Sequence, residues 1–483
     1  MTFVDLTQKW VMAPRRFVLG FRRHVAAQVA AQLTHEHATT KKLAGGAFII
    51  RIASAGIVFI SQVLIARWMG SYEFGAYVYM STALVLVSEL VHYGLPLTAQ
   101  RFIPEYAQEG AFDLLRGFLS GSRWLVFAFG TGVALVGALI VYALGPRVDA
   151  HLVWPYYLAF AALPFFALTV MNDGVARAYN WIDVALLPAY IVRPLTFIVC
   201  VAGLYAAHMH LNATTVMGAL VATGWFAALL QLVQIDRKLK IATPPGPKRF
   251  EVKRWLGTAS PIIFGWGFYT LLLSIDVLLL KQFTPEEVVA HYYAAGKVLA
   301  PVSIIIFAVA AAAAHRYTDY QVADDREGLV LFAGNTVRWV FWPSLALTLV
   351  IVAFGRELLS LFGPAFVSGY PVMLILAIGQ MARAAVGPAE RVLNMLGQQR
   401  ACAFAYAALF AFDLGACLLL APVYGAVGAA IATASTFVLE SVLLFAIAKR
   451  KLGLHLFIWR FSRTVAQESG VADGQLKAAR PNY

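Results

Sequence analysis

The residues of this sequence best placed to do chemistry are basic side chains inside long apolar stretches. At the centre of a bilayer each would cost roughly 2.5 to 3.5 kcal/mol, so it must face water, a counter-ion or an anionic ligand. Arginine presents fixed N–H donors to phosphate oxygens. The pattern therefore predicts a cationic cavity that binds a phosphate or pyrophosphate group. The candidate substrate-binding residues are Arg51, Arg193, Lys297, Arg338 and Arg383.

Acidic residues also occur within the apolar stretches, but they are fewer. If all of them formed internal ion pairs, about one positive charge would still be unbalanced. Three of the acids are candidates for ion coupling or for ion pairs, namely Glu89, Asp276 and Asp413; the fourth is Glu440. For each basic residue, snorkelling to the interface or a structural ion pair remains open, above all near the cytoplasmic ends of the spans, where Arg338 and Arg383 are expected.

Other kinds of site have no support in the sequence. The three cysteines, Cys200, Cys402 and Cys417, lie in apolar segments without C-x-x-C spacing and are interpreted as packing residues. There is no nucleotide-binding glycine loop, no zinc-ligand spacing and no pair of carboxylates in a loop of useful length. We therefore predict no catalytic residue, no metal site and no cofactor.

The elements that must position these charges are membrane spans. Of the 483 residues, 60% are hydrophobic and 13% are charged, which is typical of a polytopic membrane protein. Apolar runs of about 20 residues recur, each long enough to cross ~30 Å of hydrocarbon. The predicted fold class is an all-α polytopic membrane protein with twelve transmembrane helices. These are expected near 43–66, 75–94, 124–145, 152–172, 183–207, 213–235, 259–281, 286–312, 329–354, 367–387, 400–421 and 424–448.

The placement of Lys and Arg predicts the orientation of these spans. The side that holds the N-terminal tail carries 29 of the 38 Lys and Arg residues, and the opposite side carries four. By the positive-inside rule both termini are cytoplasmic. The net charge of +13 is thus explained by membrane topology, and no nucleic-acid partner is predicted. The basic segment 1–42 is interpreted either as interfacial helix on the inner leaflet or as a partly disordered tail, and 449–483 as a basic cytoplasmic tail.

An internal repeat predicts two related halves. The stretch 63–84, V-L-I-A-R-W-M-G-S-Y-E-F-G-A-Y-V-Y-M-S-T-A-L, recurs in register 214 positions later, with Glu73 on Glu287 and Tyr79 on Tyr293. A second echo matches G-A-L-V-A-T at 218–223 with G-A-A-I-A-T at 428–433. A repeat on this scale indicates a duplicated domain and not a short structural repeat. We predict an N-lobe at 43–235 (helices 1–6), a basic cytoplasmic linker at 236–258 and a C-lobe at 259–448 (helices 7–12).

Several motifs resemble one known family. A-R-W-M-G-S-Y-E-F-G-A-Y at 66–77 and L-V-H-Y-G-L-P-L-T-A-Q-R-F-I-P at 90–104 are similar to the N-terminal signature of bacterial polysaccharide flippases. D-V-L-L-L-K-Q-F-T-P-E-E-V-V-A-H-Y-Y-A-A-G-K at 276–297 and V-Y-G-A-V-G-A-A-I-A-T at 423–433 resemble the C-terminal half. The family is the Wzx-like branch of the multidrug/oligosaccharidyl-lipid/polysaccharide exporter superfamily.

The resemblance implies a transporter and not an enzyme. Its two six-helix lobes would enclose a central cavity and alternate between inward-open and outward-open states in the bacterial inner membrane. The implied cargo is an undecaprenyl-pyrophosphate-linked oligosaccharide, moved to the periplasmic leaflet for O-antigen or exopolysaccharide synthesis. Implied partners are this lipid-linked glycan, membrane lipids, and a polysaccharide polymerase with chain-length machinery. The alternatives are a multidrug or ion-coupled antiporter on the same fold and a membrane-embedded glycan polymerase or glycosyltransferase.

Overall fold

The computed structural model describes residues 50–459. Within this range the chain is helical, without β-strands, which confirms the predicted all-α polytopic class. The described residues from Ile52 onward form one compact unit. The predicted N-terminal segment 1–42 and the tail beyond 459 lie outside the described residues.

The first half contains eight helical segments joined by short turns. Helix α6 continues through a π turn, Leu187–Val192, directly into α7. The bounds are α1 Ile50–Met69, α2 Ser71–Val91, α3 Leu95–Gln108, α4 Phe112–Leu144, α5 Ala150–Ala178, α6 Ile182–Leu186, α7 Arg193–Ala206 and α8 Ala213–Ala242.

The second half repeats this pattern of long helices separated by brief breaks. Helices α9 and α10 form one broken span, bent by 46°. A 3₁₀ turn, Pro364–Gly369, precedes α14, and a π turn, Ala448–Leu452, ends α16. The bounds are α9 Val252–Leu272, α10 Ile275–Phe283, α11 Glu286–Val322, α12 Arg326–Ala353, α13 Gly355–Ser360, α14 Tyr370–Val386, α15 Ala389–Met395 and α16 Gln399–Ile447.

The number of spans depends on how α16 is divided. By length and apolarity, ten helices of the described range qualify, or eleven with the broken span α9–α10. Helix α16 has 49 residues but contains Gly425 with a non-helical φ of 56°. A Cβ on Gly428 would collide with the backbone of Leu420, so the chain folds back here. Each predicted segment overlaps a helix, while the count of twelve stays a prediction.

Helix α2 occupies the centre of the molecule. It packs on α5 and α8 of the first half and on α9, α10 and α11 of the second. At Gly75, the backbone of Glu286 at the start of α11 fills the space that a Cβ would take. Small residues permit such close helix approach in membranes. The motif S-Y-E-F-G-A-Y thus positions α2 against α11.

Polar contacts join the two halves at the turns predicted to be exoplasmic. The Arg67 Nε–H donates to the carbonyl of Leu361 at 2.6 Å. His151, at the start of α5, lies 3.2 Å from a carboxylate oxygen of Glu286, and Lys281 lies 3.2 Å from the same oxygen. Glu286 is buried. These contacts hold α1 and α5 against α11 and the α13 region on this side of the molecule.

Candidate functional site

Arg193 begins α7, directly after the π turn of this span. Single π turns inside α-helices are frequent at functional sites. The guanidinium carbon lies 5.0 Å from the ring centroid of Phe166 on α5, and the side chain is half-buried. The ionisable groups that act on it electrostatically are the hydroxyls of Tyr77 and Tyr190. Within residues 50–459, no carboxylate neutralises this arginine.

Lys297 is held in the same way on the other half of the molecule. Its Nζ lies 4.7 Å from the ring centroid of Tyr293, one helical turn earlier on α11. The side chain is half-buried, and none of the described carboxylates lies at ion-pair distance from it. Cation–π contacts of this kind contribute about 0.5 to 2 kcal/mol without cancelling the charge.

A row of aromatic rings connects these two cations across the α2–α11 contact. Tyr77 stacks on Phe197 of α7 with centroids 6.2 Å apart, and Phe74 lies 6.2 Å from Tyr77 and 6.1 Å from Tyr293. We call Phe197, Tyr77, Phe74 and Tyr293 the aromatic row; Arg193, which lies over Phe166, also acts electrostatically on Tyr77 of this row. Arg193 sits at one end of the row and Lys297 at the other, so the structure brings these two predicted residues to one region.

Arg383 has a different environment. Its Nε lies 3.2 Å from a carboxylate oxygen of Glu440, and its guanidinium carbon lies 4.7 Å from the ring centroid of Phe437. The Tyr406 hydroxyl donates to the other oxygen of Glu440 at 3.1 Å. Glu390, on α15 outside the spans, lies nearby, and burial raises the pKa of its carboxyl. Arg383 is therefore a member of an ion pair within the second half.

The other two basic candidates stand apart from the aromatic row. Arg338 is exposed on α12, on the same face as the exposed indoles of Trp339 and Trp342. Arginine beside tryptophan is typical of a membrane interface. Arg51 lies in the first turn of α1, where it is half-buried and has an interaction partner. The assignment of both residues to the cavity stays a prediction.

Glu89 links two helices near the turn after α2. A carboxylate oxygen accepts hydrogen bonds from the indole N–H of Trp266 on α9 at 3.2 Å and lies 3.1 Å from the imidazole of His92. Its partners are a neutral indole and a histidine. This residue therefore fits a contact between α2 and α9 more directly than a site for the cargo.

Asp276 and Asp413 are buried together in the second half, on α10 and α16. Tyr292 donates to Asp276 at 2.5 Å, and the Val277 N–H donates to its other oxygen at 2.8 Å. One oxygen of Asp413 lies 2.9 Å from the Thr436 hydroxyl; its second oxygen has no partner. No described basic residue forms an ion pair with either acid. A proton or a small cation would satisfy the vacant oxygen.

The sequence did not reveal the neutral partners in these clusters. Phe166, Phe197 and Tyr77 fall in uniformly apolar spans, where an aromatic residue is indistinguishable from a packing residue. Two signals were present: Tyr293 is one of the positions retained in the repeat, and Thr433 lies in the second echo. Thr433 lies 3.4 Å from the carboxylate of Asp276.

The fold is similar to that of an inward-facing multidrug resistance MATE family transporter of the MOP superfamily, with a TM-score of 0.68, 11% identity and coverage of 84% of this chain and 98% of that chain. It is also similar to the lipid II flippase MurJ in an inward closed conformation, with a TM-score of 0.68, 13% identity and coverage of 83% and 87%. A MOP superfamily transporter from Pyrococcus furiosus, described as having a binding pocket of reverse polarity, matches with a TM-score of 0.59, 12% identity and coverage of 84% and 94%.

The chain belongs to the polysaccharide biosynthesis protein family, whose model matches residues 45–314. This confirms the resemblance found in the sequence. No curated protein sequence matches the chain. Because the sequence identities to these solved structures are only 11–13%, the structures support the fold alone. The family match connects the chain to polysaccharide biosynthesis.

Proposed function

We propose that the protein is a flippase that moves an undecaprenyl-pyrophosphate-linked oligosaccharide from the cytoplasmic to the periplasmic leaflet. The observation that carries this proposal is the state of Arg193 and Lys297, two cations inside spans that rest on aromatic rings and have no described carboxylate partner. A diphosphate at the junction of lipid and glycan is the part of such a cargo that these cations would attract.

The aromatic contacts make the cations suitable for a transient ligand. A ring holds a cation by its face, so the N–H donors that point away from the ring stay available to phosphate oxygens. A carboxylate partner would neutralise the charge and occupy those donors. Aromatic faces therefore let the site keep a positive charge without a fixed counter-ion, and the cargo supplies the counter-ion.

We propose that two lobes, 43–235 and 259–448, joined by the linker 236–258, move relative to each other during transport. The contacts of Arg67 with Leu361 and of His151 with Glu286 join these segments on one side. With both termini in the cytoplasm of a bacterium and the protein in its inner membrane, that side is periplasmic. This arrangement would admit cargo from the cytoplasmic leaflet, and separation of these contacts would release it outside.

Asp276 and Asp413 supply a route to energy coupling. Both acids are buried without a basic partner, and one oxygen of Asp413 lacks a hydrogen bond. We propose that a proton or monovalent cation binds here and biases the equilibrium between the two states. The same observation favours the second candidate function, an ion-coupled antiporter.

Glycan delivered to the periplasmic leaflet would pass to a polymerase with its chain-length machinery.

The test is export in a strain that lacks the gene and expresses variants at matched levels. Arg193→Ala and Lys297→Ala should each reduce surface polysaccharide at least tenfold and cause lipid-linked glycan to accumulate on the cytoplasmic leaflet. Arg147→Ala, which removes an exposed arginine at an outer turn, is the matched control and should export normally. Normal export by both site variants would contradict the proposal. Coupled transport of a cationic dye that both site variants retain would instead favour the antiporter.

A further inference from the structure

The segment that connects the two halves is fastened to the first half. Residues 243–251, here called the linker strap, follow α8 and run across the start of α4. The Arg116 guanidinium of α4 donates to the carbonyl of Pro247 at 2.8 Å and to that of Pro244 at 2.9 Å. The Arg249 N–H donates to the carbonyl of Asp113 at 3.0 Å.

A second strap occurs at the end of the second half. Residues 453–459, here called the tail strap, follow the π turn after α16. The Arg326 guanidinium, at the start of α12, donates to the carbonyl of Leu452, directly before this strap. The Ile458 N–H donates to the carbonyl of Ala385 near the end of α14 at 3.2 Å, and Leu454 is fully buried.

The two straps occupy equivalent positions in the internal repeat. Arg326 follows Arg116 by 210 positions, and residue 453 follows residue 243 by the same offset. This offset also relates the echo at 218–223 to that at 428–433. Each strap places a glycine against its arginine: a Cβ on Gly246 would lie 2.8 Å from the Arg116 guanidinium, and one on Gly453 would lie 2.9 Å from that of Arg326.

The straps differ in what reinforces the arginine contact. The linker strap is exposed apart from its ends, and its arginine contact relies on two proline carbonyls, in a segment whose three prolines disfavour a regular helix or strand. The tail strap alternates buried and partly exposed residues, with Leu456 and Ile458 also buried. The shared features are therefore the arginine and the glycine that lies against it, since the rest of the strap sequence and its burial have diverged.

We propose that Arg116 and Arg326 are duplicated fasteners that tie the end of the last helix of each half to the start of its third span. The linker is then a fixed part of the first half and not a free tether. Each half gains a brace on the side of the termini, and relative motion between the halves begins beyond residue 251. This inference concerns the architecture of the halves and does not depend on the identity of the cargo.

Limited trypsin digestion of the purified full-length protein tests the proposal, with site-specific cleavage rates measured by mass spectrometry. The linker strap contains Lys248 and Arg249, and the π turn before the tail strap contains Lys449, Arg450 and Lys451. Because cleavage of a folded segment requires local opening, Arg116→Ala should raise cleavage after Lys248 and Arg249 at least tenfold and leave the 449–451 sites unchanged. Arg326→Ala should have the opposite selectivity.

Two further variants keep the test decisive. Arg116→Lys retains the charge but cannot span two carbonyls, so it should give an intermediate rate at the linker strap and covers the case in which Arg116→Ala fails to fold. Arg237→Ala, which removes an exposed arginine of α8, should change neither strap. Wild-type rates in Arg116→Ala and Arg116→Lys, or equal acceleration at both straps by one variant, would overturn the proposal.

Discussion

Arg383 and Arg193 have the same side chain inside the membrane but opposite kinds of partner. Arg383 faces a carboxylate, Glu440, at 3.2 Å, and this carboxylate has its own hydrogen bond from Tyr406. Arg193, like Lys297, faces an aromatic ring and no described carboxylate. The first arrangement is complete within the protein. The second leaves positive charge and hydrogen-bond donors available for a ligand.

This difference separates charges that hold the fold from charges that act on a cargo. Removal of one member of a buried ion pair leaves an uncompensated charge behind, which is strongly destabilising. Removal of a cation that has no counter-ion leaves nothing uncompensated in the protein. The two classes should therefore respond differently to the same substitution, with stability lost in one and transport lost in the other.

The largest effect on stability is expected for Arg383→Ala. Because the Glu440 carboxylate would be left buried without its cation, the free energy of unfolding should fall by about 3 to 5 kcal/mol. Thermal unfolding of the protein in detergent, with abundance in membranes as a second readout, measures this. The double variant Arg383→Met/Glu440→Leu should recover most of the loss. If Arg383→Ala proved as stable as the wild type, the distinction between the two classes would fail.

Lys297→Ala should change binding and leave stability nearly intact. One charge-assisted contact to a phosphate oxygen contributes about 1.5 to 3 kcal/mol, so the affinity for a short prenyl pyrophosphate should fall roughly 10- to 150-fold. Tryptophan fluorescence titration of purified protein gives the affinity, and thermal unfolding provides the control. A large loss of stability with unchanged affinity would move Lys297 to the class of Arg383.

A smaller effect is expected when the ring under Arg193 is removed. Phe166→Leu keeps an apolar side chain but removes the cation–π contact, which contributes about 0.5 to 2 kcal/mol. The affinity for the same prenyl pyrophosphate should decrease a few-fold, and Phe166→Tyr should restore it. If both variants bind like the wild type, the aromatic ring does not position the guanidinium.

The smallest effect is expected for Arg338→Ala. This arginine is exposed beside Trp339 and Trp342, and substitutions at such positions usually change stability by less than about 0.5 kcal/mol. Export and thermal unfolding should both match the wild type. Loss of export with normal stability would return Arg338 to the cargo site, as the sequence first suggested.

Hydropathy located the charged residues inside the spans and set Arg338 and Arg383, near the cytoplasmic ends, apart from the deeper ones, but it did not identify their partners. Every basic candidate was visible because a single charge stands out in an apolar run of about 20 residues. Whether a cation has a counter-ion depends on which helices are neighbours, and Arg383 and Glu440 are 57 positions apart in the sequence. The ring under Arg193 lies on another helix. In the sequence, Phe166 is one apolar residue among many and cannot be told apart from its lipid-facing neighbours.

The internal repeat was more informative about architecture than about the site. It correctly marked the turn and helix start that place α2 and α11 against each other at Gly75. The apolar pattern also placed a boundary between two predicted spans at 421–424, close to Gly425, where the backbone of α16 leaves the helical conformation. The halves differ at two equivalent positions: Asp276 replaces Gln62, and Lys297 replaces Ala83. Asp276 belongs to the buried acidic pair, and Lys297 belongs to the candidate cationic site.

The turn at Gly425 and the single residue Gly70 between α1 and α2 also restrict how this protein can be handled. Both glycines have positive φ, and helical residues flank them closely on both sides. A peptide inserted at either position would therefore displace a helix. The turn 207–210 is the better place for a topology reporter, since all four of its residues are exposed. A tag between His208 and His210 would report on which side of the membrane this turn lies while leaving the α2–α11 contact untouched.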